Sequence, residues 1–355
     1  MAGFLNLFSS KKNTKAVGID IGSSAIKVVE IEVVDDVAKL VTYGSLALGP
    51  YVGKEVGRAV VLTREKTSEA LIDLLKEAGV DTINAGFALP LRSSFLRTID
   101  VPPVSTKDLE TVIPTESRKY IPIPIGEVAL DWMVLPKLLN SGDSSRMNIL
   151  ISAVYNETLE SFDTLSLMTG LKKEVLEIEA FSAMRGAGFI QSPVYMVCDI
   201  GASLTKVSVV AGQFIWLAHT INKGSQEITL NLSKNLGVTV EEAEILKREE
   251  GLLTKNEDVK SIINLVFSNV FLEIKRVSSL FEERYKQKPE ALILAGGGSL
   301  MKGLAEIMKN ELSIEVLHAD PFSRMAILDV LKPVLKEVGP EFTVASGVAL
   351  RALEN

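Results

Sequence analysis

Apolar runs that are cut by short glycine- and serine-rich turns occur at two corresponding places in the chain. Residues 16–33 read AVGIDIGSSAIKVVEIEV, and residues 194–211 read VYMVCDIGASLTKVSVVA. In each run, alternating and β-branched residues flank a tight turn, which predicts a β-hairpin rather than a strand that leads into a helix. When Asp20 is aligned with Asp199, the copies share an aspartate, an isoleucine, a glycine, a serine, a lysine and a valine. Two matching hairpins half a chain apart predict two related halves rather than two unrelated hairpins.

A third glycine-rich segment follows a buried apolar run closer to the C-terminus. Residues 289–310 read PEALILAGGGSLMKGLAEIMKN, which predicts a strand, a glycine turn and a helix with Leu300, Leu304 and Ile307 on one side. Glycines at such a point let a ligand approach the backbone closely, and the start of a helix favours anions. Met301 stands where the dinucleotide-binding fingerprint has its third glycine, and the chain has no G-x-x-x-x-G-K-[ST] phosphate loop.

Helix signals occur in the middle of the chain and in its second half. Ser105, with Asp108 in the following turn, predicts the start of one helix, and Thr239 with Glu242 predicts a capping box at the start of another. The amphipathic segment 259–285 predicts one long helix.

Length, charge and residue usage exclude several classes of protein. The chain has 355 residues, which predicts two or three domains, and 38 basic against 45 acidic side chains give a net charge of −7. No nucleic-acid partner is expected, because neutralising phosphate backbones needs a basic surface. The single cysteine excludes a disulfide framework and a thiolate zinc site. The two histidines, His219 and His318, lie far apart and argue against a histidine metal centre or a Ser-His-Asp triad.

Nothing in the chain reads as a signal for secretion or membrane insertion. No apolar stretch approaches the length of about 18 residues that a transmembrane helix needs. With the single cysteine, this predicts a cytoplasmic protein. Residues 1–15, MAGFLNLFSSKKNTK, lack the basic start of a secretory signal. They either fray, touch an anionic membrane weakly or dock on a partner.

The two hairpin turns have the chemistry of a phosphate site. A glycine turn exposes successive backbone N–H groups, and neighbouring hydroxyls add further donors. Asp20 and Asp199, each at the end of a strand, can hold a cation through its water. Lys27 would add positive charge there, whereas Lys206 is equally well a solvated hairpin side chain. Two such hairpins facing each other across a cleft would clamp a nucleoside triphosphate with its magnesium.

The three glycine elements, in this order, resemble the motifs of the actin-like ATPase superfamily, which includes actin, sugar kinases, heat-shock chaperones and the division protein FtsA. VGIDIGSSAIKVVEI is similar to the phosphate-1 motif, VCDIGASLTKVSVV to phosphate-2 and LILAGGGSLMKGL to the adenosine motif. Segments 178–188 and 343–353 resemble the two connecting helices, and their small residues suit close helix packing. Within the superfamily, residues 89–135, in which VPPVS and IPIPI bracket a helix, resemble the PilM family of type IV pilus assembly proteins. The resemblance covers most of residues 16–353.

This resemblance implies an α/β fold, the actin-like (ribonuclease H-like) two-domain ATPase fold with an inserted subdomain of the FtsA and PilM type. The implied division is an N-terminal tail, 1–15; a first large subdomain, 16–83 with 155–190 and 342–355; the inserted subdomain, 84–154; a second large subdomain, 191–224 with 289–341; and a second small subdomain, 225–288.

The resemblance also implies ATP and Mg²⁺ as cofactors and assigns residues to them. Asp20 and Asp199 would organise the magnesium ion. Glu179 would be the catalytic residue that orients an attacking water, unless it is only an exposed helical carboxylate. The residues around the phosphates would be Gly22, Ser23, Ser24, Lys27, Gly201, Ala202 and Ser203. Those on the adenosine side would be Gly224, Glu227, Lys247, Gly296, Gly297, Gly298 and Ser299.

The phosphate-2 motif departs from the pattern of strong hydrolases, D-x-G-x-G-T-x-D, at two positions. Leu204 stands at the threonine position, and Lys206 stands at the second acid. A lysine removes one means of polarising water, while it can attract phosphate more strongly. We therefore expect ATP binding with slow or negligible hydrolysis, at most that of a weak ATPase.

A PilM-type protein would be a scaffold of the pilus machine. Its implied partners are the cytoplasmic N-terminal tail of the inner-membrane protein PilN, other inner-membrane pilus assembly proteins, the assembly ATPases and, as a further option, a second copy of itself. It would be cytoplasmic and associate peripherally with the inner membrane through these partners. The alternatives are an FtsA-like filament-forming division protein, disfavoured because no C-terminal amphipathic helix follows ALRALEN, and a small-molecule kinase, for which we find no dedicated catalytic acid. A related type II secretion protein is poorly excluded, although the membrane segment and periplasmic domain usual in that relative are missing.

Overall fold

The structure, a computed structural model, describes residues 13–138, 146–188 and 190–354, which form strands and helices mixed along the chain. The FLNLF segment of the N-terminal tail lies outside them. The strands are β1 (Lys15–Ile21), β2 (Ala25–Val34), β3 (Val37–Ala47), β4 (Asn84–Leu89), β5 (Ser94–Val101), β6 (Val128–Val134), β7 (Met147–Tyr155), β8 (Lys172–Ile178), β9 (Val194–Ile200), β10 (Thr205–Ala211), β11 (Phe214–Ile221), β12 (Ala291–Ala295) and β13 (Glu315–His318). The helices are α1 (Arg64–Glu77), α2 (Thr106–Ser117), α3 (Asn156–Thr169), α4 (Glu179–Gly186), α5 (Ser225–Leu236), α6 (Val240–Glu249), α7 (Glu257–Tyr285), α8 (Leu304–Leu312), α9 (Lys332–Val338) and α10 (Thr343–Leu353).

The two hairpins of the internal repeat take equivalent positions in two five-stranded sheets. One sheet has the order β3-β2-β1-β4-β8, and the other has the order β11-β10-β9-β12-β13. In both sheets the first hairpin strand pairs antiparallel with the second and parallel with a strand from further along the chain. The carboxyl ends of β1 and β9, where the turns begin, therefore occupy corresponding edges of the two sheets.

Helices α4 and α10 pack backbone against backbone. A Cβ atom on Gly186 would lie 1.9 Å from the carbonyl oxygen of Thr343, and one on Gly347 would lie 1.9 Å from that of Ser182. Only glycine fits at these points, as the small residues of both segments predict. Helix α4 also contacts strands of both five-stranded sheets, so this helix pair connects the two halves.

A separate antiparallel sheet, in the order β5-β7-β6, is covered by α2. Its core includes Ile99 and Ile149 from the strands and Leu109 and Ile113 from the helix. The range predicted for the inserted subdomain, 84–154, begins too early. Strand β4 pairs parallel with β1 inside the first five-stranded sheet, because its apolar residues are buried there, and the separate sheet starts at β5. The other domain limits stay a prediction.

The inserted sheet also touches the second half of the protein. The Thr98 hydroxyl donates to the carbonyl oxygen of Trp216 at 2.7 Å, and an Arg284 guanidinium nitrogen donates to the Asp100 carboxylate at 2.8 Å. Strand β5 thus contacts β11 and the end of α7.

Helices α5, α6 and α7 lie between β11 and β12 in the chain. The capping box of Thr239 and Glu242 is present at the start of α6, as predicted. The long predicted amphipathic helix is α7, which buries Val259, Ile263 and Phe267 on its inner face. None of the described helices is both long and apolar enough to cross a membrane.

Candidate functional site

Both hairpin turns present an aspartate and a lysine at the same register. Asp20 lies opposite Lys27 across β1 and β2, and Asp199 lies opposite Lys206 across β9 and β10. In both copies the turn glycine donates its N–H to the carbonyl oxygen three residues further on. The internal repeat therefore builds the same charged pair beside the same turn twice.

The two turns meet directly. The Ser203 hydroxyl donates to the Ser23 hydroxyl at 2.7 Å. A cleft surrounds this contact and takes its wall from both halves of the protein. The residues that line it are Asp20, Ile21, Gly22, Ser23, Ser24, Lys27, Pro90, Arg92, Glu179, Asp199, Gly201, Ala202, Ser203, Leu204, Lys206, Gly296, Gly297, Pro340, Glu341 and Val344.

Lys206 joins two carboxylates in this cleft. Its Nζ lies 2.7 Å from Glu179 Oε2 and 2.9 Å from Asp199 Oδ2. The other oxygen of Glu179 accepts the backbone N–H of Leu91 at 2.6 Å. Glu179 is therefore a buried carboxylate with both oxygens engaged, and not an exposed side chain of its helix.

Burial and charge together set the protonation of these groups. Burial alone would lower the pKa of Lys206, but the charges of Asp199, Glu179 and Asp20 outweigh it and raise that pKa above its ordinary value. Burial raises the pKa of Glu179, and Lys206 opposes this rise. Lys206 therefore stays an ammonium at neutral pH, and its charge allows the two carboxylates to be buried side by side.

The first hairpin holds its charged pair more loosely. Lys27 Nζ lies 3.5 Å from Asp20 Oδ2. Burial would lower the pKa of Lys27, but Asp20, Glu341 and Asp199 raise it by a larger amount. Lys27 is therefore a charged donor in the cleft wall that can exchange a carboxylate for another anion.

The backbone comes close to the cleft at its glycine end, which we define as Gly296, Gly297, Pro340 and Glu341. Gly296 has a φ of 77°, and a Cβ atom there would lie 2.2 Å from Asp199 Oδ1. Its N–H donates to the Pro340 carbonyl oxygen at 2.7 Å. A side chain at Gly296 would fill the space beside Asp199, so the wall here is backbone that a ligand can approach closely.

A sequence model of one family, type IV pilus assembly protein PilM, matches residues 18–353. This chain belongs to the PilM family. Its structure is similar to one described as the PilM-PilN type IV pilus biogenesis complex, with a TM-score of 0.81 and 26% identity over 97% of this chain and 100% of that chain. The family that residues 89–135 led us to expect is thereby confirmed.

More distant structures share the fold of this PilM-family chain. One is ethanolamine utilization protein EutJ from Carboxydothermus hydrogenoformans, with a TM-score of 0.57 and 15% identity over 97% of this chain and 92% of that chain. Another is MreB5 of Spiroplasma citri bound to AMPPNP, with a TM-score of 0.56 and 12% identity over 96% of each chain. The predicted actin-like α/β fold is confirmed.

Most of the residues predicted for the nucleotide site of this PilM-family protein line the same cleft. They are Asp20, Gly22, Ser23, Ser24, Lys27, Glu179, Asp199, Gly201, Ala202, Ser203, Gly296 and Gly297. The structure thus brings the phosphate-1, phosphate-2 and adenosine motifs together, and the role of each residue toward ATP or Mg²⁺ stays a prediction.

Three further predicted residues stand behind the cleft wall. A Cβ atom on Gly224 would lie 2.3 Å from the Ala202 carbonyl oxygen, and one on Gly298 would lie 2.5 Å from Ile200 Cγ2. The buried Ser299 hydroxyl donates to the carbonyl oxygen of Gly296 at 2.7 Å. These residues hold the phosphate-2 turn and the glycine end in place.

The last two predicted residues are engaged in ion pairs of their own. Glu227 pairs with Lys223, one turn before it. Lys247 is buried, and its Nζ donates to Glu244 Oε2 at 2.6 Å and to the Thr229 hydroxyl at 3.0 Å. Neither lies among the residues that line the cleft. Their contact with a nucleotide stays a prediction.

Several cleft residues of this PilM-family protein were missed by sequence reasoning. They are Pro90, Arg92, Pro340, Glu341 and Val344. For the first two a signal exists, because Pro90 and Arg92 come directly after β4, and ligands of α/β sheets gather at the carboxyl ends of strands. The bridge from Lys206 to Glu179 has no such signal, since the two residues lie on separate elements.

The donor set fits a nucleotide with magnesium. Among the described residues, no group of three or more histidine, cysteine, aspartate or glutamate side chains is placed to hold a metal ion. Magnesium in nucleotide sites takes one or two carboxylates and fills its shell with phosphate oxygens and waters. Asp20 and Asp199 can supply those carboxylates, and the glycine turns can supply N–H donors to the phosphates.

Proposed function

We propose that this PilM-family protein is an ATP-binding scaffold of the type IV pilus machine that docks the cytoplasmic N-terminal tail of a PilN-type inner-membrane protein. The observation that carries the proposal is the similarity, over nearly the whole chain, to the structure of a PilM-PilN complex. The cleft between the hairpins supports its nucleotide part.

The chain's residues would bind the nucleotide from both sides. Asp20 and Asp199 would hold Mg²⁺, largely through its waters, and the bound ion would neutralise phosphate charge. The N–H groups of both turns and the Lys27 ammonium would take the phosphate oxygens. The hydroxyls of Ser23 and Ser203, which bond to each other at 2.7 Å, would each exchange that bond for one to a phosphate.

Hydrolysis would be slow because the candidate base is already occupied. Glu179 accepts hydrogen bonds from Lys206 and from the Leu91 N–H, one on each oxygen, so a water would have to share an oxygen that is already engaged. Lys206 also stands where strong hydrolases have a second carboxylate, so one means of polarising a water is missing. We expect phosphate release from Mg·ATP to stay near the buffer background in a colorimetric assay. Turnover as fast as that of a sugar kinase or an actin filament would contradict this part of the proposal.

Docking of a PilN-type tail would place the protein at the inner membrane. PilN is the second protein named in the similar complex. We propose that the inserted sheet and the first half accept such a tail, and that the protein is cytoplasmic and held at the membrane through it. Contacts with other inner-membrane pilus proteins, with the assembly ATPases and with a second copy belong to the same proposal.

The test is capture of the protein by an immobilised synthetic peptide with the N-terminal sequence of a PilN-type protein. The control is a scrambled peptide of the same composition, and both are used with and without Mg·ATP. We expect capture by the native peptide alone. No capture in either nucleotide state would remove the scaffold role and return the choice to an FtsA-like filament protein or a small-molecule kinase.

A further inference from the structure

Arg92 differs from the other cations in the cleft wall. Lys27 faces Asp20, and Lys206 joins Asp199 and Glu179, so both ammonium groups have carboxylate partners. The Arg92 side chain is exposed, and within the described part of the chain no hydrogen bond or ion pair engages it. Its charge is therefore available to a ligand.

The backbone on both sides of Arg92 is fixed. Leu91 is buried, and its N–H donates to Glu179 Oε1 at 2.6 Å. The hydroxyls of Ser93 and Ser94 both donate to the Pro90 carbonyl oxygen at 3.0 Å. Arg92 is thus presented to the cleft from a turn that is already ordered, so little backbone entropy is lost when its side chain binds an anion.

The cleft is short of positive charge for a polyphosphate. Four carboxylates line it, those of Asp20, Glu179, Asp199 and Glu341, against three cations. The two ends also differ in chemistry. The glycine end offers backbone and Pro340, which suit a nucleoside, beside the single carboxylate of Glu341. Arg92 instead follows Leu91, whose N–H is bonded to Glu179 at the end where Lys206 joins Glu179 to Asp199. A phosphate chain that runs from the glycine end toward Glu179 would bring its last phosphate to Arg92.

We propose that Arg92 pairs with the terminal phosphate of a bound nucleoside triphosphate and makes the site prefer a triphosphate over a diphosphate. This inference rests on the proposed nucleotide site. A guanidinium is suited to the role because its planar fork binds two phosphate oxygens at once. Because the turn of Arg92 leads directly into β5, the inserted sheet would touch the terminal phosphate through this residue.

Calorimetric titration with Mg·AMPPNP and with Mg·ADP tests the proposal. For Arg92→Gln we expect the affinity for Mg·AMPPNP to fall about tenfold and that for Mg·ADP to change less than about twofold. Arg92→Lys, which keeps the charge but not the fork, should lie between Arg92→Gln and the wild type. The matched control is Arg97→Gln, on β5 outside the cleft, where the guanidinium lies 4.9 Å from the centre of the Tyr120 ring. This control should leave both affinities unchanged.

The outcomes separate this inference from the proposed function. If the wild type binds neither nucleotide, the proposed site fails and the role of Arg92 fails with it. If the wild type binds both and Arg92→Gln weakens both equally, or neither, the site stands and the inference is overturned. The melting temperature of each variant is measured as a check on folding. A melting temperature equal to that of the wild type shows that a change in affinity does not come from a loss of fold.

Discussion

At the scale of single residues, Lys206 decides how the carboxylates of the cleft are held. Its replacement by methionine would leave Asp199 and Glu179 buried without their shared cation. Breaking a fully buried pair in this way costs about 3–5 kcal/mol. Because the side chains of Lys206 and Asp199 retain 20% and 11% exposure, we expect Lys206→Met to lower the free energy of unfolding by about 2–3 kcal/mol, measured by urea denaturation.

The matched control for this prediction is Lys275→Met on α7. Lys275 pairs with Glu311 at 3.0 Å, but both side chains are about half exposed, at 45% and 50%. Surface pairs of this kind contribute about 0–1 kcal/mol. If the free energy of unfolding fell equally in the two variants, Lys206 would not be the counter-charge of a buried group.

Glu244, on α6, makes a pH-dependent contribution to the stability of the fold. Burial would raise its pKa, but Lys247, Thr229 and Arg248 outweigh burial and lower it below the ordinary value of 4.5. Burial also lowers the pKa of Lys247, and the charge of Glu244 opposes this fall. A carboxyl with a lowered pKa stabilises the fold above its unfolded value, and this stability is lost as the pH falls through the folded value.

Glu244→Gln therefore tests whether the charge of that carboxylate stabilises the fold. At pH 7 we expect the variant to be less stable than the wild type by about 1–2 kcal/mol, since it keeps the side-chain shape but loses the charge. The difference should shrink as the pH falls below about 4.5 in a series of urea denaturations. A difference that stays constant down to pH 3.5 would contradict the assignment.

At the scale of elements, the contact between α4 and α10 depends on glycine. The Cβ atom of Gly347→Ala would lie 1.9 Å from the Ser182 carbonyl oxygen, so the two helix backbones must move apart. Overpacking of this kind typically costs about 1–3 kcal/mol. We expect the free energy of unfolding to fall by an amount near the upper end of this range, which a lower melting temperature would show. Gly126→Ala is the control because a Cβ atom there meets nothing within 4 Å, and an equal loss in that variant would contradict the account.

Elements whose signals are local could be predicted from the sequence, and those that depend on distant partners could not. The hairpins follow from β-branched residues around a Gly/Ser turn, and the capping box of Thr239 and Glu242 needs residues only three apart. Strand β4 is a short apolar run whose sheet is chosen by pairing with β1, far away in the chain. That pairing is invisible to local pattern, which is why the inserted subdomain was predicted to begin too early.

The same division applies to the site. The aspartates and turn glycines could be predicted from the sequence because the same motif occurs in both copies of the repeat. Arg92 is signalled only by its position just after β4, whereas Glu341 carries no signal and the fold alone brings it to the cleft. Lys206 was identified as a departure from the hydrolase pattern, but its bond to Glu179 depends on how α4 packs beside β10.

At the scale of the whole molecule, hydrogen bonds link the inserted sheet to the cleft and to the second half of the protein. The Leu91 N–H links the start of the inserted sheet to Glu179, and Thr98 and Asp100 link β5 to the second half. We expect both hairpins to hold one nucleotide between the halves.

Calorimetric titration of Mg·ATP into the wild type, Asp20→Ala and Asp199→Ala tests whether both hairpins hold the nucleotide. The control is Asp329→Ala, at a carboxylate whose side chain is 92% exposed and pairs with Lys332. We predict one bound nucleotide per wild-type and control chain, and loss of tight binding in both cleft variants, with affinity reduced by about a hundredfold or more. If both Asp20→Ala and Asp199→Ala kept the wild-type affinity, the hairpins would not be the site that holds the nucleotide.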